Sequence, residues 1–245
     1  MITDKTIEQL QEAVQPTLVN TERGEMFSSR PLHALPKDKR PEPETLGIAT
    51  LKGFCDYVRS KFDNPKDHER MVWIKDQAEV RLVSELYPPS KQRDSIVAAT
   101  VHNVFGPSFS FGVYLDHELF VVSLQTLFAP TPDLLKVLAV IGTIKEEGVK
   151  QISDDGVSQA VVARAGVALV ADVKVPNPVR LAPYRTFRDI EQPSSSFVLR
   201  VKAGKEGSTP MCALFEADGG LWKLDAIRDI REYIAAAGLG LPIIG

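Results

Sequence analysis

The sequence predicts an α+β fold: mainly antiparallel sheets with two central helices and a C-terminal helix, preceded by an extended N-terminal arm. Three observations predict it. Segments that alternate apolar and polar residues are grouped rather than regularly interleaved with helical ones, which argues against a doubly wound parallel sheet. Two consecutive helical patterns occupy the middle of the chain. Four prolines, Pro31, Pro36, Pro41 and Pro43, stand among charged residues before residue 45. The expected division is a helix and proline-rich arm over 1–45 and a single domain over 46–245.

Residues 3–14 read as a short amphipathic helix with Ile7, Leu10 and Val14 on one side, ended by Pro16. From Gly24 to Thr45 periodicity disappears, and the prolines favour extended backbone, hence an exposed arm. Thr45 is the expected cap of a helix bearing Leu46, Leu51, Phe54, Cys55 and Val58. Val72, Ile74, Val80, Leu82 and Leu86 alternate with polar neighbours about Asp76-Gln77, the pattern of a half-exposed hairpin. A third strand is expected at 96–105.

Asp116 can cap a helix carrying Leu119, Phe120, Val122, Leu124, Leu127 and Phe128. Ala129-Pro130 stops it, and Thr131-Pro132 supplies a cap and a proline at the first position of the next. That helix, with Leu134, Leu135, Val137, Leu138, Val140, Ile141 and Ile144, is apolar around much of its circumference, so it is central to the fold or to an oligomer contact. Asp154-Asp155-Gly156 lies between alternating segments and signals a hairpin. Further strands are expected at 167–175, 197–201 and 211–216. A final helix carries Leu224, Ile227, Ile230 and Ile234, and the apolar stretch 239–244 can add an edge strand or cover the core.

Composition removes several classes of protein. With 44% hydrophobic and 25% charged residues the chain is neither collagenous nor low in complexity. No window approaches the roughly 18 apolar residues of a membrane helix. Met1-Ile2-Thr3-Asp4-Lys5 opens no secretory signal, so a cytoplasmic protein without a membrane partner is expected. Cys55 and Cys212 stand apart in apolar surroundings and read as two buried free thiols. A net charge of −3 weighs against a protein that coats DNA, although a local basic face is compatible with it.

Named catalytic motifs are missing. Gly204-Lys205-Glu206-Gly207-Ser208-Thr209 lacks the glycine interval and the Lys before Ser/Thr that cradle phosphates in a P-loop. Neither a Gly-x-Gly-x-x-Gly turn nor a Gly-x-Ser-x-Gly elbow occurs. His68-Glu69 lacks a second His four residues on, and Asp116-His117-Glu118 is explained by a helix start, where acids suit the dipole. No metal and no cofactor are expected, and no enzyme is expected.

The best ligand candidate is Arg180, Tyr184, Arg185, Phe187 and Arg188, with Arg200 on a nearby strand. Guanidinium forks match phosphate oxygens and also lie flat on rings, while Tyr184 or Phe187 can stack on a base. The competing reading, which is the commoner circumstance, is a solvated face whose arginines pair with Asp189, Glu191 or Glu216.

Ser153-Asp154-Asp155-Gly156-Val157-Ser158-Gln159, Val175-Pro176-Asn177-Pro178-Val179 and Pro183-Tyr184-Arg185-Thr186-Phe187 carry a resemblance. So do Glu191-Gln192-Pro193 with Ser196-Phe197, Ala213-Leu214-Phe215-Glu216-Ala217-Asp218-Gly219-Gly220, and Thr50-Leu51-Lys52-Gly53 with Asp56-Tyr57-Val58. Together they resemble an uncharacterised family of tailed-phage and prophage proteins, and are similar to the YfdQ-like domain of unknown function. The resemblance implies a phage-encoded protein from the non-structural part of a genome and assigns no site residues. The resulting expectation is a non-enzymatic phage accessory protein that acts by binding as a homo-oligomer. Its target would be a host protein or a phosphorylated small molecule, such as a nucleotide signal in host defence. The alternatives are a nucleic-acid-binding factor in phage recombination or replication, which the charge disfavours, and a self-assembling shell or scaffold protein.

Overall fold

A computed structural model describes residues 18–20, 26–28, 43–63, 69–87, 91–101, 108–147, 149–154, 159–165, 168–175, 177–202 and 210–245. The chain divides into two units, Met1–Glu42 and Pro43–Gly245. In the first, β1 (Leu18–Asn20) pairs antiparallel with β2 (Met26–Ser28). The helix expected over 3–14 and most of the proline-rich arm lie outside the described residues.

The second unit is α+β, and two of its sheets each cover a pair of helices. One sheet has the order β14-β4-β5-β6-β3. Its strands are β3 (Leu46–Ile48), β4 (Arg70–Asp76), β5 (Glu79–Ser84), β6 (Ser95–Thr100) and β14 (Ile243–Ile244). β4, β5 and β6 form the expected antiparallel meander; the turn falls one residue later than the sequence suggests, at Gln77-Ala78, because the Asp76 carboxylate accepts the Ala78 N–H at 2.8 Å. β14 adds the expected edge strand, parallel to β4. The inner face of this sheet buries Val72, Ile74, Val80, Leu82, Val97 and Ala99 against two helices, α1 (Leu51–Ser60) and a C-terminal one.

The start of α1 corrects the sequence reading. Thr45 does not cap it, and Leu46 belongs to β3, which runs parallel to β6. At about 100° per residue, the five-residue step from Leu46 to Leu51 turns Leu46 well away from the buried stripe of Leu51, Phe54 and Cys55. The cap is Thr50, whose hydroxyl accepts the Gly53 N–H at 3.1 Å.

The other sheet has the order β11-β12-β13-β7. Its strands are β7 (Leu115–Asp116), β11 (Val179–Leu181), β12 (Ser195–Lys202) and β13 (Met211–Glu216). All of its pairings are antiparallel. Its inner face, with Phe197, Leu199, Val201, Cys212 and Leu214, packs on α2 (His117–Leu127) and α3 (Pro132–Glu147). Both helices begin as their sequences dictate: Asp116 accepts the Leu119 N–H at 2.9 Å, and Thr131 accepts the Leu134 N–H at 3.1 Å with Pro132 at the first position. α3 buries Leu134, Val137, Ile141 and Ile144 while Leu135 is 66% exposed, so its apolar stripe serves this core. His117 is buried, its Nε2 2.9 Å from the Ile141 carbonyl oxygen, which joins the two helices.

β8 (Val149–Asp154), β9 (Gln159–Ala165) and β10 (Ala168–Val175) form a separate antiparallel meander, as the alternation after residue 148 predicts. The chain ends in α4 (Trp222–Ala236), which buries Trp222, Ala226, Ile230 and Ile234. Ile230 and Ile234 carry the expected spacing, whereas Leu224 is 64% exposed.

Candidate functional site

The arginine- and aromatic-rich stretch forms a strap between the two sheet–helix layers. At its start the Ala182 carbonyl accepts the Ala129 N–H and the Tyr184 N–H donates to Leu127 O, both at 2.8 Å, which fixes the strap to the end of α2. Thr186 then donates its hydroxyl to Gln77 O at 2.6 Å, in the turn of the opposite layer. Phe187 is fully enclosed in that layer's core. Asp189 takes the N–H groups of Leu51 and Lys52 at 3.1 and 2.9 Å, supplying acceptors where the first turn of α1 has none of its own. The buried Gln192 amide holds the curve, accepting Arg185 N–H and donating to Phe187 O.

Within this strap the six candidate residues separate. Arg185 turns inward: its side chain is 9% exposed, its Nη1 lies 2.5 Å from Glu216, and its Nη2 meets Ser195 Oγ. Its guanidinium carbon stands 3.7 Å from the centre of the Trp222 ring, a close cation–π stack. Burial pulls its pKa down to about 10, against the opposing pull of Glu216 and Asp218. Glu216 is one of the three acids that the competing sequence reading named. Phe187, enclosed in the core, offers no ring face to a ligand. Arg188 stacks over Tyr184 at 3.5 Å, so the cation and the ring meet each other. Arg200 stands on β12, on the face of the sheet opposite the helices.

Of the six, Arg180 lines a cleft among the described residues. This cleft, of about 460 Å³, is bounded by Thr131, Glu191, Ser194, Asp225, Arg228 and Asp229 among others. The Arg180 backbone N–H donates to Asp133, which keeps β11 against the start of α3. Its guanidinium donates to Ser194 Oγ at 2.9 Å and, among the described residues, forms no ion pair. Arg228, on the other wall, is held by Asp225 at 2.9 Å and Asp229 at 3.3 Å. The cleft therefore sets a guanidinium held by one hydroxyl hydrogen bond, and by no ion pair among the described residues, beside carboxylate acceptors and hydroxyls, within the size range of small-molecule sites.

Sequence reasoning missed Trp222, Asp218 and Arg228. Asp218 was legible as a turn residue only: its carboxylate accepts the Gly220 N–H, and Gly219 and Gly220 both take positive φ. Burial alone would raise its pKa. Hydrogen bonds from Ser195 and from the backbone of Gly220 and Trp222, together with the nearby Arg185 charge, hold it below its ordinary value. Arg228 reads in sequence as an ordinary charge on the outside of a helix, since nothing local announces the strap opposite it.

Comparison of the chain with family models, curated proteins and solved structures returns no match. Among the described residues, no helix is long and apolar enough to cross a membrane, and no group of three His, Cys, Asp or Glu side chains is placed to hold a metal ion.

Proposed function

We propose that this chain is a non-enzymatic phage accessory protein that acts by binding a phosphorylated small molecule, of nucleotide size, in the cleft beside Arg180. The observation that carries the reading is the Arg180 guanidinium, which faces a cleft of about 460 Å³ without an ion pair among the described residues. An arginine fork takes phosphate oxygens in pairs. Glu191, Asp225 and Asp229 around it supply acceptors for the hydroxyl and amine donors of a ribose and a base. Phage origin rests on the family resemblance, and self-association on the exposed Leu119, Val122 and Leu135 of α2 and α3.

Calorimetry with a panel of nucleoside mono-, di- and triphosphates tests the ligand. Charge-assisted hydrogen bonds contribute about 1.5–3 kcal/mol each, so Arg180→Ala is expected to weaken binding by roughly ten- to a hundredfold. No heat with any nucleotide, or an Arg180→Ala variant that binds unchanged, overturns the proposal.

A further inference from the structure

The face of the β11-β12-β13-β7 sheet turned away from α2 and α3 has its own chemistry. Strand register assigns its rows. Val198 lies across from Phe215, Arg200 across from Ala213, and Lys202 across from Met211. These positions alternate with the buried Phe197, Leu199 and Val201, so their side chains leave the sheet on the opposite side. Tyr114 precedes β7, whose Leu115 pairs with Cys212. Its ring meets Phe215 edge to face at 6.2 Å between centroids. The Lys202 ammonium stands over the Tyr114 ring at 4.1 Å. Phe215 is 37% exposed, an unusual place for a large apolar ring on a strand rich in buried residues.

Two neighbouring rings and two cations on one pleated surface match a recurrent need of single strands: flat surfaces for bases and positive charge for the backbone. The charge of the face is complementary as well. Its rows carry Arg200 and Lys202, and the acid across from Met211, Asp116, already caps α2. We propose that this face binds single-stranded nucleic acid, with bases stacked on Phe215 and Tyr114 and phosphates on Arg200 and Lys202. On binding, a base replaces the Lys202 ammonium over Tyr114, and the released ammonium moves to a phosphate. This proposal does not depend on the cleft, because Arg180 is not part of it.

The test is fluorescence anisotropy of a labelled twelve-residue oligothymidylate with the full chain. Two phosphate contacts predict a log–log salt slope of about −1.4, an affinity loss of roughly sevenfold between about 50 and 200 mM salt. The double variant Arg200→Gln, Lys202→Gln is expected to abolish most of that dependence. Phe215→Ala is expected to weaken binding about tenfold with the slope unchanged, since it removes a stacking surface and no charge. If Phe215→Ala melts early, Phe215→Leu keeps apolar volume without the ring and gives the same reading. An affinity unchanged by Phe215→Ala, a salt slope unchanged by the double variant, binding of the unmodified chain without salt dependence, equal affinity for a duplex of the same sequence, or no binding overturns the proposal. A chain that ignores mononucleotides but behaves as expected here sinks the cleft reading and leaves this one standing.

Discussion

Arg185 shows how one side chain can be read as a ligand group and serve as internal structure. In sequence it is a cation between Tyr184 and Phe187; in the fold it stacks on a distant ring, Trp222, and pairs with Glu216. Local spacing cannot reveal this, because Glu216 and Trp222 lie more than thirty residues away in the chain. Breaking a mostly buried ion pair from one side typically costs about 3 kcal/mol. Arg185→Ala is expected to lose about that much in urea unfolding, and Arg185→Met, which retains a stem over Trp222, distinctly less. An unchanged midpoint for Arg185→Ala would return this arginine to the list of ligand groups. The cysteines were legible from their apolar neighbours alone, and both are buried. Burial pushes the Cys212 thiol up to about 12 and raises that of Cys55. Thiolate is the reactive form, so a thiol reagent at pH 8 should titrate no fast-reacting cysteine in the native protein and both after denaturation.

Among the elements, the starts of α2 and α3 were legible to the residue because their caps are local: an Asp or Thr three residues before the N–H it accepts, and a proline that suits the first position. The β4–β5 hairpin and the β12–β13 pair were legible for the same kind of reason, a period of two around a turn. α1 was misplaced because half of its N-terminal satisfaction comes from Asp189, 138 residues from Leu51. Its start is thus a tertiary contact as much as a local one. Asp189→Ala removes acceptors from two N–H groups and should cost about 1–2 kcal/mol by thermal unfolding, comparable to losing a strong cap. Thr50→Ala should cost about 1 kcal/mol. Because both side chains serve the same first turn, the double variant is expected to depart from the sum of the singles.

At the scale of the second unit, the two layers hold together through a segment that contributes to both. Val179 and Leu181 close one core, Phe187 enters the other, and the hydrogen bonds of Tyr184, Thr186 and Asp189 alternate between them. Acid should therefore loosen the molecule where carboxylates anchor this arrangement. The carboxyls of Asp218, Glu79, Asp56 and Asp133 all sit below their ordinary values. At Asp56 and Asp133 the leading cause is a hydrogen bond from Lys52 and Lys136 respectively. At Glu79 burial works the other way, and Lys75 and Arg81 overcome it. A carboxyl whose pKa is lower in the folded chain binds its proton more weakly there than in the unfolded one. Its contribution is complete above the ordinary values of 3.8 for Asp and 4.5 for Glu, and it disappears as pH falls through the lower folded-state values. The melting temperature should thus stay level between pH 7 and 5 as far as these groups are concerned, then drop steeply below about pH 4. Asp218→Asn isolates one contributor at the junction of Arg185, Ser195 and Trp222. The variant should melt below the unmodified chain at pH 7, and the gap should narrow as the pH approaches 3. A gap that stays constant across that range would mean that the Asp218 charge takes no part in holding the strap to its sheet.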